Sequence, residues 1–305
     1  MNKAKKIKKG DLIGIVSPAG PTNSEELQNG VSVLKKMGFR SVLGKNALLR
    51  KGFLAGSDEK RSADFMDMVN NPEVAAILCA RGGYGINRIL PYLDYSLIKK
   101  ARKPIIGSSD ITILLNYINS RCSLVSFHGP MAAGSFGRTP MTKSRKPFCR
   151  ALMGDMEMYS YSKRSAWTIN SGKGEGRLAG GCLTLMIRSL GTPFEIQTRN
   201  RILIIEDVNE RPYKIDGMLW QLKEAGKFKG IRGIVFGEMI NCQPNKNEPY
   251  TLKKTISDFF KNDDFPILMN CPIGHGKEMW TLPLGASVIL DSEEKSLTIE
   301  ENGAV

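Results

Sequence analysis

The sequence predicts an α/β protein built on a parallel sheet covered on both faces, followed by a second mixed α/β unit. Two observations carry this. The runs DLIGIVSPAG, VAAILCA and PIIGSS are continuously apolar rather than alternating, as strands buried on both faces must be. Between them lie segments with apolar residues at helical spacing, the alternation that builds parallel sheets. A length of 305 residues adds a prior of two domains.

Taken in order, DLIGIVSPAG is a strand running into a Pro-Ala-Gly loop. Residues 23 to 37 have helical spacing, with Thr22 or Asn23 as cap and Gly38 as stop. SDEKRSADFMDMVNN is a second helix, capped by Ser57 or Asp58. VAAILCA is a strand, followed by the turn RGGYG and a helix over INRILPYL; PIIGSS is a strand before the helix DITILLNYINSRC, and SLVSFHGPM is a strand and turn. From Met131 to about Gly174 Gly, Pro, Ser and basic residues dominate without a period, which reads as a linker or crossover. The domains expected are thus 1–135, a connection over 136–174, and 175–305. The last opens at EGRLAGGCLTLMIRSLGTPFE. It continues with the strand RILIIEDV, the helix YKIDGMLWQLKEAGKFKG, the strand IRGIVFGEM, the helix TLKKTISDFFKN and the strand FPILMN, and ends in the hairpin ASVILDSEEKSLTIEEN.

Composition excludes several classes. The chain is 41% hydrophobic and 24% charged, ordinary for a globular protein. Its net charge of +14 is spread along the chain, with local clusters at MNKAKKIKKGD and over Arg138 to Arg150. Neither cluster interleaves aromatic residues for base stacking, so a solvated basic surface is the reading and no nucleic-acid partner is expected. Gly10 and Asp11 interrupt any secretory apolar segment, and no run approaches the roughly 18 apolar residues of a membrane span. A cytoplasmic protein without a membrane partner is expected. Six scattered cysteines form no C-x-x-C pair, which argues for free thiols and against zinc. The dinucleotide pattern fails at Arg88 and the P-loop lysine is absent, so no cofactor and no metal are expected.

Four sites stand out, all at strand ends, where parallel α/β sheets gather their chemistry. In GSSD, Gly107 permits a tight turn before a helix. A serine there is either a nucleophile exposed on a sharp turn or an ordinary cap. The G-x-S-x-G elbow is not met, because Ile111 stands at the second glycine. ARGGYG offers glycines that let backbone N–H groups approach an oxyanion, or serves as a turn. Glu206, at the end of ILIIE, is either solvated or placed to orient an imidazole. His275 lies in a Gly-His-Gly loop, and His128, the only other histidine, lies in SFHGP. Serine, carboxylate and histidine therefore occur in the order Ser109, Glu206, His275, the three groups a hydrolytic triad needs.

DLIGIVSPAGP, ARGGYG, PIIGSSDIT, FHGP, LAGGCLTL, LIIEDVNERPYKIDGML and PIGHG, taken together and in order from about residue 10 to 300, resemble the LD-carboxypeptidase family, serine peptidase family S66. The resemblance implies a flavodoxin- or Rossmann-like N-terminal domain, a β-rich α/β C-terminal domain and a homodimer. It implies a triad of Ser109, Glu206 and His275, with Ser108 a turn residue. It implies an oxyanion hole from the backbone N–H groups of Asp110 and Gly83. No metal or cofactor is implied.

The reading is a cytoplasmic serine carboxypeptidase that removes terminal D-Ala from murein tetrapeptides in peptidoglycan recycling. Arg81 is expected to hold the substrate carboxylate, with Gly82 and Tyr84 beside it. The alternative is a microcin C immunity-type peptidase cleaving peptidyl- or aminoacyl-nucleotide amides, with Trp167 and Trp280 as candidates to stack on the base. A reading of another class is a non-catalytic muropeptide-binding protein. Residues 138 to 165 carry no functional expectation.

Overall fold

The apolar run after Gly10 forms strand β1, Leu12–Val16, and its Ile13, Ile15 and Val16 are fully buried. The computed structural model describes residues 1–139, 141–246 and 249–305. Helix α1, Ser24–Lys36, starts at Asn23, whose side chain accepts the Glu26 N–H. Strand β2, Arg40–Leu43, follows. Helix α2, Asp58–Asn70, is capped by Ser57. Of the paired cap candidates, Asn23 and Ser57 are therefore the ones used. Strand β3 is Val74–Cys79.

The segment INRILPYL is not one helix. Helix α3 covers Ile86–Ile89 only, and a 3₁₀ turn runs over Leu90–Tyr92. Pro91 lacks an N–H and its ring crowds the preceding turn, so the helix cannot continue. Asp94 then caps α4, Tyr95–Ala101. Strand β4, Ile105–Gly107, leads through a 3₁₀ turn over Ser109–Ile111 into α5, Thr112–Cys122. Strand β5 is Ser126–His128.

The stretch that reads as a loose connection carries regular structure. A π-type turn at Ala132–Phe136 precedes α6, Thr142–Met153, and strands β6, Tyr159–Ser162, and β7, Trp167–Asn170. Pro147 inside α6 masks the helical pattern, though Phe148, Ala151 and Leu152 are buried. Both strands are sheet edges of only four residues with apolar and polar positions mixed, so they lack a continuous apolar run. Pro140, within the basic run, lies outside the described residues.

Strand β8 is Lys173–Cys182, α7 Leu183–Ser189, β9 Arg201–Glu206, α8 Pro212–Glu224 and β10 Gly233–Gly237. Helix α9 is Leu252–Phe259, β11 Ile267–Cys271, β12 Leu282–Leu284, β13 Ser287–Asp291 and β14 Ser296–Ile299. Of these elements, β9, α8, β10, α9, β11 and the hairpin β13–β14 follow the sequence reading, whereas β8, α7 and β12 fall where it assigned no element.

The first sheet has the order β12-β5-β4-β3-β1-β2, parallel except for β12. The second runs β6-β14-β13-β8-β9-β10-β11-β7, with β8 to β11 parallel and the flanking strands antiparallel. The predicted α/β class is borne out. β12 comes from late in the chain yet pairs with β5, Leu282 opposite His128, tying the two sheets together.

Helix α5 makes a second tie. Asn116 Nδ2 donates to Gly180 O at 2.8 Å, and its Oδ1 accepts the Gly180 N–H at 3.0 Å. The Cys182 N–H donates to Thr112 Oγ1 at 3.1 Å. Cys182 is in register with Glu206 on β9. The start of α5, just past Ser109, is thereby held against the strand end that carries Glu206.

Candidate active site

Ser109 sits where β4 gives way to α5. Its φ of 58° is left-handed, a conformation that strains any residue with a Cβ and recurs at functional turns. Ser108 before it is extended. The RGGYG loop lies directly against this turn. A Cβ on Gly82 would fall 2.7 Å from Ser109 Cβ and 3.1 Å from Asp110 N, so only glycine allows the approach.

Two buried side chains fix that loop. Asp110 Oδ2 accepts the Ile86 N–H at 2.8 Å, so the residue after the serine anchors the far end of the loop. Burial pushes the Asp110 carboxyl up to about 6, against the opposing Ile86 N–H, Arg188 and Arg61. Arg61, 1% exposed, donates to Gly85 O at 2.9 Å and to Pro18 O, and pairs with Asp58. Sequence reasoning passed over Arg61. Its only signal is a cation on the helix face shared with Phe65 and Met68.

Arg81 is half-buried, and its Nη1 donates to Pro21 O at 3.1 Å. Burial lowers its pKa and the charges of Arg138 and Arg50 add to this, with Glu26 opposing. Even so, a guanidinium remains charged at neutral pH. This concentration of positive charge beside the serine turn suits an anion. Tyr84 is 38% exposed and meets Phe53 edge-on at 5.4 Å. Gly83 has φ +110° and packs on Gly20.

Glu206 is fully buried at the end of β9. Its Oε2 lies 2.8 Å from His275 Nδ1, which donates the hydrogen bond. The carboxylate thus selects the tautomer that leaves Nε2 free to accept a proton. A side chain at Gly274 would reach within 2.7 Å of Glu206 Cδ, so glycine lets the loop close over the carboxylate. The His275 side chain is 27% exposed. Burial disfavours its cation, but the Glu206 hydrogen bond and charge, with Asp207 behind, outweigh this and raise its pKa. Asp207 itself is occupied, accepting from Thr184 N, Thr184 Oγ1 and Val208 N.

His128 is fully buried, with both ring nitrogens unpartnered. Burial lowers its pKa to about 4 despite Glu206, with His275 adding to the effect. It is a neutral neighbour of the pair. Ser109 Oγ makes no hydrogen bond among the described residues. The structure thus joins Glu206 to His275, and holds Ser109 on the turn bound to the same strand ends.

Trp280 does not serve as a stacking platform. It is buried and already stacked on Tyr161 at 4.7 Å. Trp167 is 41% exposed. All six cysteines are free thiols. Among the described residues no cluster of His, Cys, Asp and Glu could hold a metal, and no helix is long and apolar enough to cross a membrane.

Fold and site together define a two-sheet α/β protein with a buried carboxylate holding an imidazole at the strand ends. The chain belongs to the LD-carboxypeptidase family, a family of peptidases. Models of the family's N-terminal and C-terminal domains match residues 13–129 and 175–290. It is 39% identical to the probable murein peptide carboxypeptidase of Bacillus subtilis (strain 168), over 98% of this chain and 94% of the relative. Among solved structures it is similar to the wild-type microcin C7 self immunity protein MccF, with TM-score 0.92, 27% identity and all of both chains covered. It is also similar to the muramoyltetrapeptide carboxypeptidase from Oxalobacter formigenes, with TM-score 0.81, 29% identity and 95% and 99% of the chains covered.

Proposed function

We propose that this protein is a serine LD-carboxypeptidase that removes the terminal D-Ala from murein tetrapeptides, with Ser109 as nucleophile. The observation that carries the reading is the 2.8 Å bond from His275 Nδ1 to Glu206, which leaves Nε2 as a base on elements tied to the serine turn. The hydrogen bond between the serine and the imidazole is of a kind that commonly forms only once substrate is bound.

In this mechanism His275 Nε2 takes the Ser109 proton as Oγ attacks the carbonyl before D-Ala. The N–H groups of Asp110 and Gly83 stabilise the oxyanion. His275 then protonates the departing amine, leaving an acyl-enzyme; it next takes a proton from water, which attacks the ester, and returns that proton to Ser109 Oγ as the shortened peptide leaves. Arg81 receives the terminal carboxylate, beside Gly82 and Tyr84. The free thiols support a reducing, cytoplasmic setting. The same reading carries forward a homodimer and the division of the chain at 1–135 and 175–305.

The test is mass spectrometry of the protein with L-Ala-γ-D-Glu-meso-diaminopimelyl-D-Ala. Loss of one alanine by wild type and not by Ser109→Ala is expected, a drop on the order of 10⁴–10⁶ in kcat. Equal loss by both would remove Ser109 from the mechanism. The immunity-type reading rests on the likeness to MccF and on exposed Trp167. It predicts cleavage of an aminoacyl-nucleotide amide in place of the tetrapeptide. A non-catalytic muropeptide binder would retain the peptide uncleaved.

A further inference from the structure

Beside the His275 loop, at the same strand ends, lies a cavity of about 340 Å³ whose lining includes Trp167, Glu238, Gln243, Lys253 and Asn270. Its position follows from the sheet. Gly237 closes β10 next to Glu206 on β9, so Glu238 is the first residue past the neighbouring strand end. The Glu238 carboxylate lies against Gly276, where no side chain would fit, one residue from His275.

Glu238 has no hydrogen bond and no ion pair among the described residues. The neighbouring lysine, Lys163, pairs instead with Glu278 at 3.8 Å. Burial raises the Glu238 pKa and Glu278 adds to this, with Lys163 opposing. This carboxylate, half-buried and unclaimed by any protein cation, is free to receive a cation that enters the cavity. On another wall Lys253 Nζ stands 5.0 Å from the Trp167 ring centroid. The cavity therefore presents one anion, one cation, two side-chain amides and an indole face.

We propose that this cavity is the specificity subsite for the zwitterionic end of a diamino-dicarboxylic side chain. Glu238 receives its ammonium, Lys253 its carboxylate, and Trp167 its methylene chain. The proposal rests on the peptidase reading above and deepens it. It separates two kinds of third residue. Diaminopimelate carries both charges at its far end, whereas lysine carries only the ammonium. Glu238 serves both, and Lys253 serves the first alone.

The experiment measures kcat and KM for D-Ala release from three tetrapeptides, carrying diaminopimelate, L-lysine or L-norleucine at the third position. Wild type should prefer them in that order. Glu238→Gln should raise KM for the first two by roughly ten- to a hundredfold, the range a charge-assisted hydrogen bond supplies. Its discrimination between the lysine and norleucine peptides should vanish, and an unfolding midpoint at the wild-type value establishes that the variant is folded. Lys253→Met, on the exposed side of α9, should shrink only the preference for diaminopimelate over lysine. Equal kcat/KM of wild type on all three, or unchanged ratios in both variants, would overturn the subsite and leave the peptidase reading standing. Cleavage of none of the three would overturn both.

Discussion

Glu206 and His275 stand 69 residues apart in the chain and meet at 2.8 Å, Oε2 to Nδ1. One closes a parallel strand and the other lies in a glycine-flanked loop after the next strand but one. The contact makes the carboxylate the controller of the imidazole's tautomer and of its affinity for a proton.

The first prediction concerns pH. A base must be neutral to work, and Glu206 raises the His275 pKa. The acid limb of kcat/KM therefore falls above the ordinary histidine value. Glu206→Gln removes the charge that stabilises the imidazolium, so the limb should move to lower pH. The kcat should fall roughly 10³–10⁴-fold as the tautomer is lost. A pH–rate profile of both proteins checks this, and an unmoved limb would mean that another group titrates.

Ser109 is strained for the sake of its position. With φ at 58°, Ser109→Gly should relieve the left-handed conformation and stabilise the fold by about 0.5–1 kcal/mol, after the added freedom of the unfolded chain is counted. Turnover should vanish in the same variant. Urea unfolding midpoints alongside activity would reveal the trade, and a loss of stability would argue that the turn is unstrained.

Asp110 should show the opposite balance of charge. Its pKa is raised to about 6 in the fold, so the folded state binds its proton more tightly than the unfolded chain does. That preference has no effect below the unfolded value near 4. As pH climbs from there through 6 it becomes a growing penalty, complete above 6. Asp110→Asn removes a charge that is 1% exposed. It should gain roughly 3 kcal/mol at pH 7–8 and nothing below about pH 4. Denaturation midpoints across this range measure the gain directly.

Arg61 holds Pro18 and Gly85 together from beneath the RGGYG loop. Arg61→Ala leaves both carbonyls without this donor and Asp58 without its buried partner, and should cost about 3 kcal/mol. Arg61→Lys keeps the charge but not the planar fork. It should recover part of the stability while kcat stays at least about tenfold down with KM little changed, because the loop carries Gly83, a proposed oxyanion donor. Full recovery of kcat by lysine would count against a positioning role.

Much of this was legible from local pattern. Continuous apolar runs marked β1, β3, β9 and β10, and the Asn23 and Ser57 caps stood at helix starts. Such signals are local because burial on both faces and orphan N–H groups act over a few residues. The placing of Ser109, Glu206 and His275 at strand ends could be read in the same way. The edge strands β6 and β7 could not, since an edge needs no apolar run.

The sequence by itself determined the α/β class, the order of the buried strands and the residue types brought to strand ends. Tertiary structure alone decided that β12 returns to β5, that Arg61 is buried beneath the RGGYG loop, and that Trp280 is spent on Tyr161. It alone brought Glu206 to His275 and left Glu238 facing a cavity. The reason is physical. Secondary structure follows from neighbours along the chain, whereas a site is a set of distances between strands. Those distances exist only once register and packing have fixed which strand lies beside which.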